Sequence, residues 1–385
     1  MALKTDERGS LLRILYITIF LTSTGLGTAT FLLPVYASGL GANYIDLGLM
    51  GVARNLVYTL GTFIVGFLLD KFERVRIYLS FMMFGAFVVA FFGLMGNVPA
   101  LIAWSTFAGL SSAAFWVTAS TLTADISPPE QLSQSMSRYN MSWIMGFIVG
   151  PYLGGLISDT FGFQVLFISL SMLILCSIII IQFKIRSKVQ LKNKSGSNGI
   201  NLNPLKSLWL AYLMLVPFSM ILGIYMAIVP GYLKAVGLAS ATVGLLLTLT
   251  NGFRGLGFFN SSWFVSRGVG RSITLAALLF FSGMLIFSFS TSTMGYAASL
   301  AMFGVAAGIM TPLMLNYIAK RCDKSTLGAV MGMHEGVYGI GMLLGPMIGG
   351  AVAEYYGPEI LYRLLAVLAL TLLPLAWLLE RKSGQ

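Results

Sequence analysis

Along this chain apolar residues come in long unbroken runs. They follow neither the i, i+3, i+4 stripe of a surface helix nor the alternation of a half-buried strand. A helix needs about 20 consecutive apolar residues to cross a bilayer core. Twelve runs meet that length, over roughly residues 11–36, 44–69, 77–96, 99–125, 131–157, 161–182, 206–233, 240–264, 272–292, 294–319, 325–354 and 358–380. Tilt, or a short extension beyond the membrane, accommodates the longer ones. The breaks between runs are short and polar, so the chemistry is expected within the membrane or at its faces. The first run is too long for a signal-peptide core and lacks a small-residue cleavage site, which predicts a retained first helix.

One stretch, Gly146-Phe-Ile-Val-Gly150-Pro151-Tyr-Leu-Gly154-Gly155, returns 195 positions later as Gly341-Met-Leu-Leu-Gly345-Pro346-Met-Ile-Gly349-Gly350. Glycines four apart share a helix face, so Gly146, Gly150 and Gly154, and again Gly341, Gly345 and Gly349, form bare stripes. In lipid such stripes let two backbones approach closely. Pro151 and Pro346 each remove a backbone donor and bend the helix. The repeat extends further: Pro34-x-Tyr36 matches Pro230-x-Tyr232 at an offset of 196, Gly48 and Gly61 match Gly244 and Gly257 at 196, and Gly109 matches Gly304 at 195. The near-constant offset predicts two related six-helix halves, 1–183 and 206–385, joined by a polar linker over 184–205 whose core is Lys194-Ser-Gly-Ser-Asn-Gly199. An even number of crossings per half makes the copies parallel, with a shared cavity expected near mid-membrane.

Composition agrees. Of 385 residues, 57% are hydrophobic and 10% charged, against about 25% charged in soluble domains. The net charge of +11 would suit nucleic acid, but its distribution does not. Lys4, Arg8, Arg13, Lys71, Arg74, Arg76, Lys184, Arg186, Lys188, Lys192, Lys194, Lys206, Arg267, Arg271, Lys320, Arg321, Lys324, Arg381 and Lys382 fall on one side, with little beyond Lys234 on the other. This is the positive-inside bias of a multi-pass cell-membrane protein with both termini cytoplasmic, with some attraction to anionic lipid. Two cysteines, Cys176 and Cys322, and one histidine leave no metal cluster, and no cofactor is expected.

At this point the chain resembles the major facilitator superfamily of secondary transporters over nearly its whole length. Gly66-Phe-Leu-Leu-Asp70-Lys71-Phe-Glu73-Arg74-Val-Arg76 is similar to the family's loop Gly-x-x-x-Asp-Arg-x-Gly-Arg-Arg, with Glu73 at the usual second Gly. A reduced copy is Ser266-Arg267-Gly268-Val269-Gly270-Arg271. The resemblance implies a cytoplasmic gate: Asp70 facing the positive end of the helix that starts near residue 325, and Arg74 reaching Asp125. The alternative is a set of loop charges that only fixes topology. The Gly-Pro stretch resembles a motif of exporting antiporters, although Ser137 stands where that motif carries a further Gly, whereas the second copy has Gly332. Ordinary small-residue packing is the other reading. Ser105 stands where exporters of the family carry an Arg tied to proton coupling.

Ionisable groups at membrane depth are costly and usually functional. Four stand out: Arg54, Arg254, His334 and Glu335. Asn55 and Tyr58 accompany Arg54, and Asn251 accompanies Arg254. The repeat aligns Asn55 with Asn251 and Tyr58 with Arg254. Two guanidiniums could clamp one anion through their planar donor forks; either could instead pair with Glu335 or reach lipid headgroups. Glu335 is the one carboxylate expected deep in a span, and a carboxyl moving between dry and charged surroundings can load and release a proton. Its neighbour His334 points about 100° away round the helix, so the two need not share that proton. Tyr225 is expected to face the cavity. Together these residues predict an all-α membrane protein of twelve helices in two pseudo-twofold bundles. It would be a monomer moving a small organic solute by alternating access, with export against protons as the first reading. Uptake or exchange of a small organic anion between Arg54 and Arg254 is the alternative. A polytopic enzyme or receptor is the third, but no nucleophile, metal or paired-acid cluster supports it.

Overall fold

A computed structural model describes residues 5–186, 203–321 and 327–383. The expected linker 184–205 therefore lies largely outside the described residues. The described chain is helical, without strands. Helices α1 (Thr5–Gly39), α2 (Tyr44–Lys71), α3 (Arg74–Phe92), α4 (Val98–Ile126) and α5 (Leu132–Lys184) are followed by α6 (Asn203–Ala227), α7 (Val229–Ala235), α8 (Ser240–Phe259) and α9 (Ser261–Ser266). The chain ends with α10 (Val269–Phe289), α11 (Thr293–Ala319), α12 (Leu327–Tyr356), α13 (Pro358–Leu370) and α14 (Leu372–Ser383).

Ten of the described segments are long and apolar enough to cross a membrane. The expected count of twelve is not read directly from them, for two reasons. Helix α5 spans 53 residues, about 80 Å at 1.5 Å per residue, far more than one crossing. It is broken at Gly162, whose φ of +85° only glycine adopts without strain, so it holds two of the expected runs. Helix α8, with α9 after it, occupies another expected run but is not among the ten, because Asn251 and Arg254 interrupt its apolar face. Gly357 turns the chain at φ +94°, 195 positions after Gly162; the same backbone device closes α12.

The chain forms two compact units. One comprises Met1–Gly41, Ala53–Ser197 and Gly237–Leu245; the other comprises Ala42–Val52, Asn198–Val236 and Leu246–Gln385. They do not coincide with the halves expected from the repeat, since α2 and α8 each begin in one unit and end in the other.

In unit 1, α1 is the central helix. Leu15, Ile19, Phe31 and Val35 are fully buried, and so are Thr18, Thr22, Ser23 and Thr28. Thr22 Oγ1 lies 2.6 Å from Ser177 Oγ. Thr18 and Ser23 hydroxyls likewise donate to carbonyls of their own helix, as a dry surrounding demands, whereas the Thr28 hydroxyl has no hydrogen-bond partner among the described residues. The stripe Gly146, Gly150 and Gly154 lies against it: a Cβ on Gly146 would meet Thr24 N at 2.8 Å, and one on Gly154 would meet Thr28 Cγ2 at 2.6 Å. In unit 2, α6 plays the same part among α10, α11, α12 and α13, around Phe218, Phe280, Phe287 and Phe303. A Cβ on Gly341 would meet Val216 O at 2.7 Å, one on Gly345 would meet Met220 Cα at 2.8 Å, and one on Gly349 would meet Ile224 at 2.9 Å. Ser23 and Ser219, 196 positions apart, face the first glycine of each stripe with their hydroxyls turned back onto their own helices.

Candidate functional site

The ionisable residues of unit 2 gather where α6, α8 and α12 meet. Helical neighbours diverge by about 100°, yet the His334 imidazole turns so that Nδ1 lies 3.2 Å from Glu335 Oε1. The two groups read as independent in the sequence are in contact. His334 is buried, and its ring is parallel to Tyr338 one turn on, at 6.1 Å and 12°. The Glu335 side chain is 46% exposed. Residues 11 apart on a helix lie within about 20°, so Glu335 shares a face with Pro346. That proline packs where a Cβ on Gly51 would stand, at 2.8 Å. The exposed apolar side chains Ile340 and Met347 lie about 120–140° round α12 from Glu335. The carboxylate is therefore on the protein-facing side of its helix.

Arg254 comes from α8. Its guanidinium is 5.4 Å from the Phe258 ring and interacts electrostatically with Tyr225 and Tyr338. Among the described residues the carboxylate of Glu335 lies against the His334 imidazole. Tyr225, on α6, is only 3% exposed and stacks on Phe303 at 4.5 Å; it is packed rather than open. Asn251 is fully buried, with Nδ2 donating to Leu247 O at 2.9 Å. Its Oδ1 has no hydrogen-bond partner among the described residues.

In unit 1, Arg54 and Tyr58 are half-buried and Asn55 is buried. Gly109 of α4 lets that helix approach the Arg54 backbone, where a Cβ would stand 3.0 Å from Arg54 C. Gly304 of α11 does the same for Thr250, at 3.1 Å from its carbonyl carbon. Thr250 thus holds the place of Arg54 in the repeat, and the two arginines sit one turn apart in register.

At the membrane face where α2 ends, Arg74 Nη1 donates to Asp125 Oδ2, with the side chains 13% and 24% exposed. Glu73 makes the preceding turn in an extended conformation, φ −61° and ψ 118°, so no left-handed residue is needed. Asp70 is exposed at the end of α2. The helix start it was expected to face falls on 322–326, outside the described residues.

The sequence reading missed three features. Tyr338 is aromatic among many aromatics, and nothing local marks it. Trp116, Trp143 and Phe147 form an edge-to-face cluster with centroids 5.3 to 6.0 Å apart. Asp159 and Glu354, 195 positions apart, accept hydrogen bonds from the first amides of α8 and α2; the repeat offset was the available signal.

These features agree with the chain's likenesses. The Major Facilitator Superfamily profile matches residues 15–227 and 208–385. An uncharacterized MFS-type transporter of Methanocaldococcus jannaschii is 24% identical over 367 residues, covering 93% of this chain and 95% of the relative. The quinolone resistance protein NorA of Staphylococcus aureus is 30% identical over 146 residues, 38% of each chain. Among solved structures, a bacterial homolog of the human lysosomal transporter Spinster, in an inward-facing and occupied conformation, superposes with a TM-score of 0.79 at 13% identity, covering 98% of both chains. With repeated glycine seams, buried polar helices and a family match spanning nearly its whole length, the chain belongs to the Major Facilitator Superfamily, as a multi-pass membrane transporter and not an enzyme.

Proposed function

We propose that the protein exports a small organic solute across the cell membrane in exchange for protons, by alternating access, as a monomer with both termini cytoplasmic. The observation that carries this reading is the contact between His334 and Glu335 on the protein-facing side of α12. An imidazole and a carboxylate in contact can take up or lose a proton while the buried imidazole keeps a partner for its charge. Solute would be held by Arg254, Asn251 and Tyr225 in one unit and by Arg54, Asn55 and Tyr58 in the other. The glycine stripes ending at Pro151 and Pro346 serve as packing seams and hinge points. Asp70, Arg74 and Asp125 form the cytoplasmic gate. The partial likeness to a quinolone resistance protein supports an organic cargo of that kind.

The test uses purified protein in liposomes with an acidic lumen. The wild type accumulates a quinolone against its gradient, and an ionophore that collapses the pH difference stops this. Glu335→Gln still exchanges quinolone down its gradient but ignores the pH difference. Accumulation that survives collapse of the gradient, or a Glu335→Gln protein that still follows it, refutes the proton reading.

A second reading, transport of a small organic anion, is favoured by one observation: the Arg254 guanidinium is held within a span, 5.4 Å from the Phe258 ring. The same liposomes, offered an organic carboxylate in place of the quinolone, separate the two.

A further inference from the structure

The two carboxylates that cap helix starts belong to one device. Asp159, near the end of the first crossing in α5, accepts from Ser240 N at 3.1 Å through Oδ1 and from Ala241 N at 2.7 Å through Oδ2. Both contacts lie in unit 1, which includes Gly237–Leu245. Glu354, near the end of α12, accepts from Tyr44 N at 2.9 Å through Oε2. That contact lies in unit 2, which includes Ala42–Val52. The carboxylates are 195 apart and the capped amides, Tyr44 and Ser240, are 196 apart. Beside each cap the main chains touch. A Cβ on Gly155 would meet Ala241 Cα at 2.7 Å, and one on Gly350 would meet Tyr44 O at 2.7 Å. Gly244 lies against the Pro151 carbonyl and Gly48 against that of Pro346. By the order of crossings, both caps stand at the membrane face opposite the Arg74–Asp125 pair.

We infer that Asp159 and Glu354 are paired latches, positioning residues for transport, that together hold the starts of α8 and α2 in the conformation seen here and must release in every cycle. A carboxylate on unsatisfied first-turn amides is favoured by their partial positive charge. Because α2 and α8 each continue into the other unit, releasing one start changes the setting of the other. The latches are unequal. Asn43 and Asp46 cap α2 reciprocally, Asn43 Oδ1 accepting from Asp46 N at 2.8 Å and Asp46 Oδ2 from Asn43 N at 3.0 Å. In the repeat the place of Asn43 is taken by Ala239, which cannot cap. Asp159 therefore carries the α8 start, whereas Glu354 supplements a helix that has its own cap.

The inference rests on the alternating-access part of the proposed function, not on the solute or the proton. It is tested by hydrogen–deuterium exchange on the full-length protein in detergent, without substrate. Asp159→Asn speeds exchange over 239–245 by roughly fivefold or more. It also speeds exchange over 43–50, because both starts are released together. Glu354→Gln does the same more weakly, by roughly twofold, and Asp159→Glu restores slow exchange. If Asp159→Asn does not purify as a single species, Ser240→Pro removes one latched N–H at the first helical position, where proline is tolerated, and gives the same spread. Acceleration confined to the segment of the altered latch means two local caps and overturns the inference. Labelling of single cysteines introduced at each face of the otherwise unaltered protein separates the failures. If both faces open but exchange stays local, the latches fall and alternating access stands. If one face never opens, both fall.

Discussion

An alanine at Gly345 is the sharpest test of the glycine seams, because its obstacle is main chain. The new Cβ would stand 2.8 Å from Met220 Cα and 2.9 Å from Met220 C, over half an ångström inside ordinary contact. A side chain could rotate away; the α6 backbone cannot. Overpacking a close-packed site costs about 1–3 kcal/mol, and a rigid obstacle puts this site near about 3 kcal/mol. Replacing glycine by alanine inside a helix returns about 1 kcal/mol of propensity, so Gly345→Ala should lose about 2 kcal/mol. Gly336 lies in the same helix with nothing within 4 Å of its Cβ position. Gly336→Ala should therefore gain about 1 kcal/mol from propensity alone. The assay is thermal unfolding of the purified proteins in one detergent, followed by loss of the monodisperse peak. Gly345→Ala should melt several degrees below the wild type and Gly336→Ala at or above it. Equal melting of the two variants would refute the claim that α6 and α12 touch through bare backbone.

The Arg74–Asp125 pair should show coupling in a double-mutant cycle of stability: with both side chains mostly shielded, Arg74→Ala plus Asp125→Ala should cost about 1–2 kcal/mol less than the sum of the single changes. Strict additivity would mean that the pair contributes nothing. Arg254→Lys keeps the charge but loses the planar fork, so on the anion reading carboxylate uptake into liposomes should fall at least about tenfold. Uptake equal to the wild type would remove Arg254 from the binding set. His334→Ala should leave Glu335→Gln with little further effect on pH-driven flux, because contacting groups act as a unit; two independent losses would show that the 3.2 Å contact is not used.

Features periodic along one strand of sequence were legible without coordinates. Apolar run length fixed the spanning helices, the glycine spacing fixed the bare stripes, and the 195–196 offset exposed the duplication, since each follows from local geometry and the demands of lipid. The charge pattern around Asp70, Arg74 and Asp125 was legible through resemblance, and Arg74 does meet Asp125. Tertiary structure decided what those features touch. No local signal says that Gly244 lies against the Pro151 carbonyl, that Asp159 holds the amides of Ser240 and Ala241, or that His334 swings round to Glu335. It also set where the compact units divide, inside α2 and α8 as well as at the linker. The reason is physical: amides and carbonyls are the same at every residue, so a contact made by main chain leaves its mark on sequence only as the glycine that permits it.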